Sequence, residues 1–148
     1  MTRILASLIA AASFVLPAAA FADASVADMC AKAEEDNNEN AIQICDELAQ
    51  AKDDVLFLED MVVQSEQALE QAKSAERPAR VHLWEAKEAY RSEASADNFY
   101  KVIQAQIALN EVRAQIEEAE ADLQSDIQKL EEAYDFVAFL EAELEASF

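Results

Sequence analysis

The stretch VIQAQIALNEVRAQIEEAEADLQSDIQKLEEAYDFVAFLEAEL, residues 102–144, decides the fold. Val102, Leu109, Ile116, Leu123, Leu130, Val137 and Leu144 recur at every seventh position. Ala105, Val112, Ala119, Asp126, Ala133 and Leu140 fill the half-steps between them. A mean spacing of about 3.5 residues lays both sets along one stripe of an α-helix, and such a stripe has to be buried against another helix. The expectation is an all-α coiled coil.

The same period runs through the preceding half of the chain. Ala41, Ile44, Leu48, Ala51, Val55, Leu58, Val62, Leu69 and Ala72 keep one phase, with Ser65 as its polar exception. The phase continues past Pro78 through Ala79, Leu83, Ala86 and Tyr90. A helix that stopped at Pro78 has no reason to keep register beyond it, so the pattern predicts one long helix near 39–92, kinked at Pro78. The competing reading ends a helix at Arg77 and starts another at Pro78, a favourable first-turn residue. A polar stretch at 92–98 then makes a turn, with Ser95 or Asp97 available to cap a last helix over about 98–146. Two helices of nearly equal length, each roughly 75 Å long, fit an elongated antiparallel hairpin.

Cys30 and Cys45 are the two cysteines of the chain. Between them lies a polar run, residues 34–40, with three Asn that accept turn conformations. Each Cys stands about two helical turns from the middle of that run, so two antiparallel helices would bring them face to face. The pattern predicts a short helix near 26–35, capped around Ser25 to Asp28 and joined by a disulfide to the start of the long helix. A bond closing a loop of this size contributes roughly 3 kcal/mol by constraining the unfolded chain. The short helix should sit beside the C-terminal end of the last helix, opposite the turn.

Residues 1–22 read as a cleaved signal peptide. Arg3 precedes an apolar run, Pro17 breaks it, and Ala20-Phe21-Ala22 forms a small-x-small cleavage site, placing the first mature residue at Asp23. The expected location is therefore periplasmic or secreted, with 23–148 as one helical domain. Removing that segment with its single base leaves 10 basic and 31 acidic residues, a net charge of −21. Such a surface repels nucleic acid and anionic lipid. No later stretch is apolar and long enough to span a membrane. The chain also contains no glycine, which argues against phosphate-cradling loops, dinucleotide fingerprints and tight hairpins.

No residue constellation carries recognisable catalytic chemistry, and no cofactor is expected. His82 is the single His and has no second His to share a metal. Neighbouring acids such as Glu117 and Glu118 point in different directions on a helix and suit a solvated face. What stands out is the set of large apolar residues off the seam. Leu56, Phe57 and Val63 lie on the second helix, and Ile127, Tyr134, Phe136 and Phe139 on the last. Near the turn are Val81, Trp84, Phe99, Tyr100, Ile103 and Ile107. These residues either cover a wider intramolecular core or complete a symmetric dimer, as in a four-helix bundle, or form a docking surface centred on Val81, Trp84, Phe99, Tyr100 and Ile103.

The run from Tyr90 to Leu123, including Val102-Ile103-Gln104-Ala105-Gln106 and Ala108-Leu109, resembles the periplasmic helices of outer-membrane efflux channels. It is also similar to the α-hairpins of efflux adaptor proteins, which carry comparable Ala- and Gln-rich heptads. Neither the strands of the channels nor the β-domains of the adaptors have room in this chain, and it is assigned to neither family. In size and leader the chain resembles periplasmic helical-tentacle chaperones, which are basic where this chain is acidic. The expectation is an exported, non-enzymatic coiled-coil protein that acts through protein–protein contacts, as a homo-oligomer with a dimer favoured. A holdase-like chaperone is one alternative and an acidic divalent-cation-binding protein another.

Overall fold

A computed structural model describes residues 22–148, which form three helices: α1 (Ala22–Glu35), α2 (Glu39–Ser92) and α3 (Ala96–Ala146). The leader expected over 1–22 lies, but for Ala22, outside the described residues. The chain is the elongated antiparallel hairpin that the heptads imply, with α1 laid against its open end. α2 has 54 residues and α3 has 51, so the hairpin is about 80 Å long at 1.5 Å per residue.

Cross-helix contacts run in reverse order along the two chains, as an antiparallel register requires. Lys52 pairs with Glu141 at 3.4 Å, and Tyr134 donates to the Glu59 carboxylate. Ser65 donates to Asp126 at 2.6 Å, Lys73 pairs with Glu120 at 3.2 Å, and Arg113 pairs with Glu76 at 3.4 Å. At the far end the rings of Tyr90 and Phe99 lie 5.8 Å apart. Exposed ion pairs of this kind contribute about 0–1 kcal/mol each, so they lock the register more than they hold the helices together.

Pro78 lies inside α2 and does not end it. Its missing N–H leaves the Ser74 carbonyl without the usual donor four residues on, a penalty of about 3 kcal/mol in a helix interior. Apolar residues in register on both sides of Pro78 offset that penalty. Beyond it Leu83 is buried, and so is Leu109 on the facing helix.

The two connections are built without glycine. α1 ends on Asn37 in the left-handed region, with φ 48°. The Asn38 N–H reaches back to the Ala33 carbonyl at 2.9 Å, and the Asn37 N–H to Glu34 at 3.2 Å. This is the double closure of a Schellman motif, with Asn in the place usually held by Gly. Asn38 also caps α2, its Oδ1 accepting from the Ala41 N–H at 3.2 Å. At the other end Ser95 caps α3 by accepting from the Asn98 N–H at 3.2 Å. The Asn98 side chain donates to the Ala89 and Glu93 carbonyls at 3.4 and 3.0 Å, satisfying the last turn of α2. Two boundaries differ from expectation. α1 is already helical at Ala22, the first described residue, so Ser25 lies within the helix rather than at its start. α3 begins at Ala96 rather than 98, because Ser95 caps it and Asp97 falls in its first turn.

The core sits at the base, where three helices meet. Val26 and Ala33 of α1, Ala41, Ile44, Leu48 and Ala51 of α2, and Leu140 and Leu144 of α3 form one buried cluster. Cys30 and Cys45 are joined across its edge with their Cα atoms 5.9 Å apart, within the usual disulfide span. The end of α3 is tied in by Asn38 Nδ2 donating to the Ser147 carbonyl at 3.3 Å and by Lys32 Nζ 5.0 Å above the Phe148 ring. Above the base the seam is interrupted by Asp126, which is only 6% exposed. It accepts from Ser65 Oγ at 2.6 Å and from Lys129 Nζ at 2.9 Å. The Ser65 hydrogen bond first, then that of Lys129, holds its carboxyl below the usual 3.8, against the opposing pull of burial.

Two outcomes follow. Asn37→Gly should leave the melting temperature unchanged or raise it, whereas Asn37→Val should cost about 1–2 kcal/mol, the penalty of a side chain forced into the left-handed region; thermal unfolding followed by circular dichroism reads both. A carboxyl lowered in the folded state stabilises above its unfolded pKa and loses that contribution as pH falls through the folded value. The wild-type chain should therefore melt higher than Asp126→Asn at neutral pH, and the gap should close as pH drops below 3.8. A gap independent of pH would show that the fold does not favour the Asp126 charge.

Candidate functional site

The residues anticipated as a docking surface all lie in solvent at the turn end. Trp84 is 62% exposed and Tyr100 61%, and Val81, Phe99 and Ile103 are exposed as well. Val81 and Trp84 project from α2, and the other three from the first turns of α3. The exposed rings of Tyr90 and Phe99 meet beside the turn.

The structure brings some of these residues together and leaves others apart. Val81 and Trp84 line an open groove of about 390 Å³ with Lys73, Glu76, Arg77 and Arg80. Trp84 is also a wall of a second groove, about 320 Å³, which reaches across to Gln106, Leu109 and Arg113 of α3. Neither groove includes Phe99, Tyr100 or Ile103. Those three form a separate exposed face nearer the turn.

The basic lining of the grooves was not anticipated from the sequence, because a net charge of −20 hides it. Seven of the 11 bases, Lys73, Arg77, Arg80, Lys87, Arg91, Lys101 and Arg113, fall between residues 73 and 113. Only six of the 31 acids share that segment. The turn-proximal third is close to neutral, and the base-proximal remainder carries nearly all of the negative charge. Counting charge by segment rather than over the whole chain would have revealed this. A second set of exposed apolar residues, Leu56, Phe57, Val63, Phe136 and Phe139, lies in the acidic part.

Among the described residues, no three His, Cys, Asp or Glu side chains are gathered as ligands for a metal ion. His82 is exposed on α2. Among the described residues no helix is long and apolar enough to cross a membrane. Comparison with protein-family models, with curated proteins and with solved structures finds no match.

One titrating group reports directly on the flank of the hairpin. The hydrogen bond from Tyr134 to the Glu59 carboxylate, aided by partial burial and the Glu59 charge, pushes the Tyr134 phenol up to about 12 from 10.0. A raised acid pKa stabilises the fold at every pH below the unfolded value, and the contribution fades as pH rises from 10.0 to about 12. Spectrophotometric titration should show Tyr134 ionising near pH 12 in the wild-type chain, and Glu59→Gln should return it toward 10.0.

Proposed function

We propose that this chain is an exported, non-enzymatic hairpin protein that acts by binding other proteins through its turn end. The observation that carries the reading is the exposure of Trp84, Tyr100 and Phe99, at 62%, 61% and 52%, on helices whose register is fixed by the seam below them. Side chains of this size contribute the most on becoming buried, and Trp and Tyr are the commonest anchors of protein interfaces. Export is supported by the signal-peptide pattern of residues 1–22 and by the Cys30–Cys45 disulfide, a bond that persists in oxidising compartments.

The experiment is site-specific photocrosslinking in living cells. A photoreactive side chain at Trp84 or Tyr100 should give a discrete protein adduct, and the same probe at the solvated Glu118 should give none. Trp84→Ala with Tyr100→Ala should leave the helical content unchanged and abolish adducts formed from a probe at Ile103. Adducts absent at the turn end, or equally abundant at Glu118, would refute the reading.

A further inference from the structure

One stripe of α2 changes character halfway along. Leu56, Glu59, Val63, Glu66 and Glu70 are followed by Lys73, Arg77, Arg80, Trp84 and Lys87. Spacings alternate between three and four residues throughout, so all ten positions share one face of the helix. That face borders the seam on one side, since Glu59 reaches across to Tyr134 and Lys73 to Glu120. The first half of the stripe is acidic and apolar; the second is basic and carries the Trp.

Most of the stripe is unengaged within the chain. Leu56 is 60% exposed, Val63 49% and Trp84 62%. Among the described residues no ion pair holds Arg77, Arg80, Lys87, Glu66 or Glu70. Unpaired cations in an acidic molecule, beside an exposed indole, select a partner that is acidic and apolar at once. The first half of the same stripe has that composition.

We propose that a second copy of this chain covers this flank in antiparallel orientation. The basic half of each stripe lies on the acidic half of the other, about a two-fold axis between Glu70 and Lys73. This inference goes beyond the reading that the turn end binds other proteins: self-association engages Trp84 along the α2 flank and leaves Phe99, Tyr100 and Ile103 to that reading. The pairing is isologous, so each favourable contact is made twice. It places the Trp84 indole among the Leu56 and Val63 side chains of the other copy and Arg77 and Arg80 near its Glu66 and Glu70. A parallel dimer would set like charges against each other over the same length.

Charge exchange tests the orientation. Light scattering or sedimentation should find the wild-type protein dimeric at low salt and dissociating as salt rises. Arg77→Glu with Arg80→Glu, and separately Glu66→Lys with Glu70→Lys, should each weaken the dimer about tenfold or more while circular dichroism shows both still helical. Mixing the two variants should restore a dimer, because each supplies the charge that the other has lost. A wild-type monomer, a dimer indifferent to either reversal, or a mixture that stays monomeric would overturn the proposal. A monomer that instead co-sediments with anionic phospholipid vesicles would give the basic half to a membrane surface. A monomer that still forms turn-end adducts with other proteins would overturn self-association alone; one that forms none would remove both readings.

Discussion

Two helices share one seam, and that limit governs the rest of this molecule. In a two-stranded coil the stripe facing the partner is enclosed on one side only. Leu58, Val62, Leu69, Ile116, Leu123 and Leu130 keep perfect register and still remain half-buried. Where α1 adds a third wall, burial becomes complete: Ala33 and Leu144 are 0% exposed and Leu48 and Leu140 2%. A fully buried Leu contributes about 1.5–3 kcal/mol; the base gathers most of that contribution, and along the arms Val55, Leu83 and Leu109 add to it. The short first helix and its disulfide thus hold the three-helix cluster at the base.

The polar layer has meaning against the same limit. Sliding one helix along the other by a heptad would preserve an all-apolar seam, at little loss. It would not preserve Ser65 opposite Asp126. An acid buried to 6% exposure needs its donors where they are, and a single buried polar position is a well-attested way of fixing coiled-coil register. The flanking pairs, Lys52 with Glu141 and Lys73 with Glu120, repeat the same alignment at the surface. The wet flank that two helices cannot cover is also where the exposed aromatic and basic residues lie.

Much of the fold was legible because a heptad is a long, redundant signal. Continuity of phase through Ala72, Ala79 and Leu83 outweighed the local preference of Pro78, and the structure carries α2 through that residue. Symmetric placement of Cys30 and Cys45 about a polar run was enough to pair them. Boundaries were less legible. Ser25 has the chemistry of a cap, but side-chain chemistry alone does not reveal whether the preceding residues are already helical. Ser65 and Asp126 were each visible as breaks in a pattern, but their meeting depends on the register between helices, which neither heptad contains. The basic stripe was missed because charge was summed over the chain. The exposed residues at Val81, Trp84, Phe99, Tyr100 and Ile103 stood out by falling off the seam, but nothing in their spacing distinguishes those that share a groove from those that do not.

The hydrogen bond between Asn38 and Ser147 spans 109 positions of the chain. Contacts near the turn, such as Tyr90 with Phe99, join residues close in sequence and close small loops. Closure of the hairpin beside its turn loses the least entropy, because the loops there are shortest. The α3 part of the best-buried cluster depends on the most distant contacts of the chain. No nascent chain that stops short of Leu144 can assemble it, although α1 and the start of α2 are made early. Until then Ile44 and Leu48 have only α1 to cover them, and the emerging chain carries its stickiest surface longest at the end that is synthesised first.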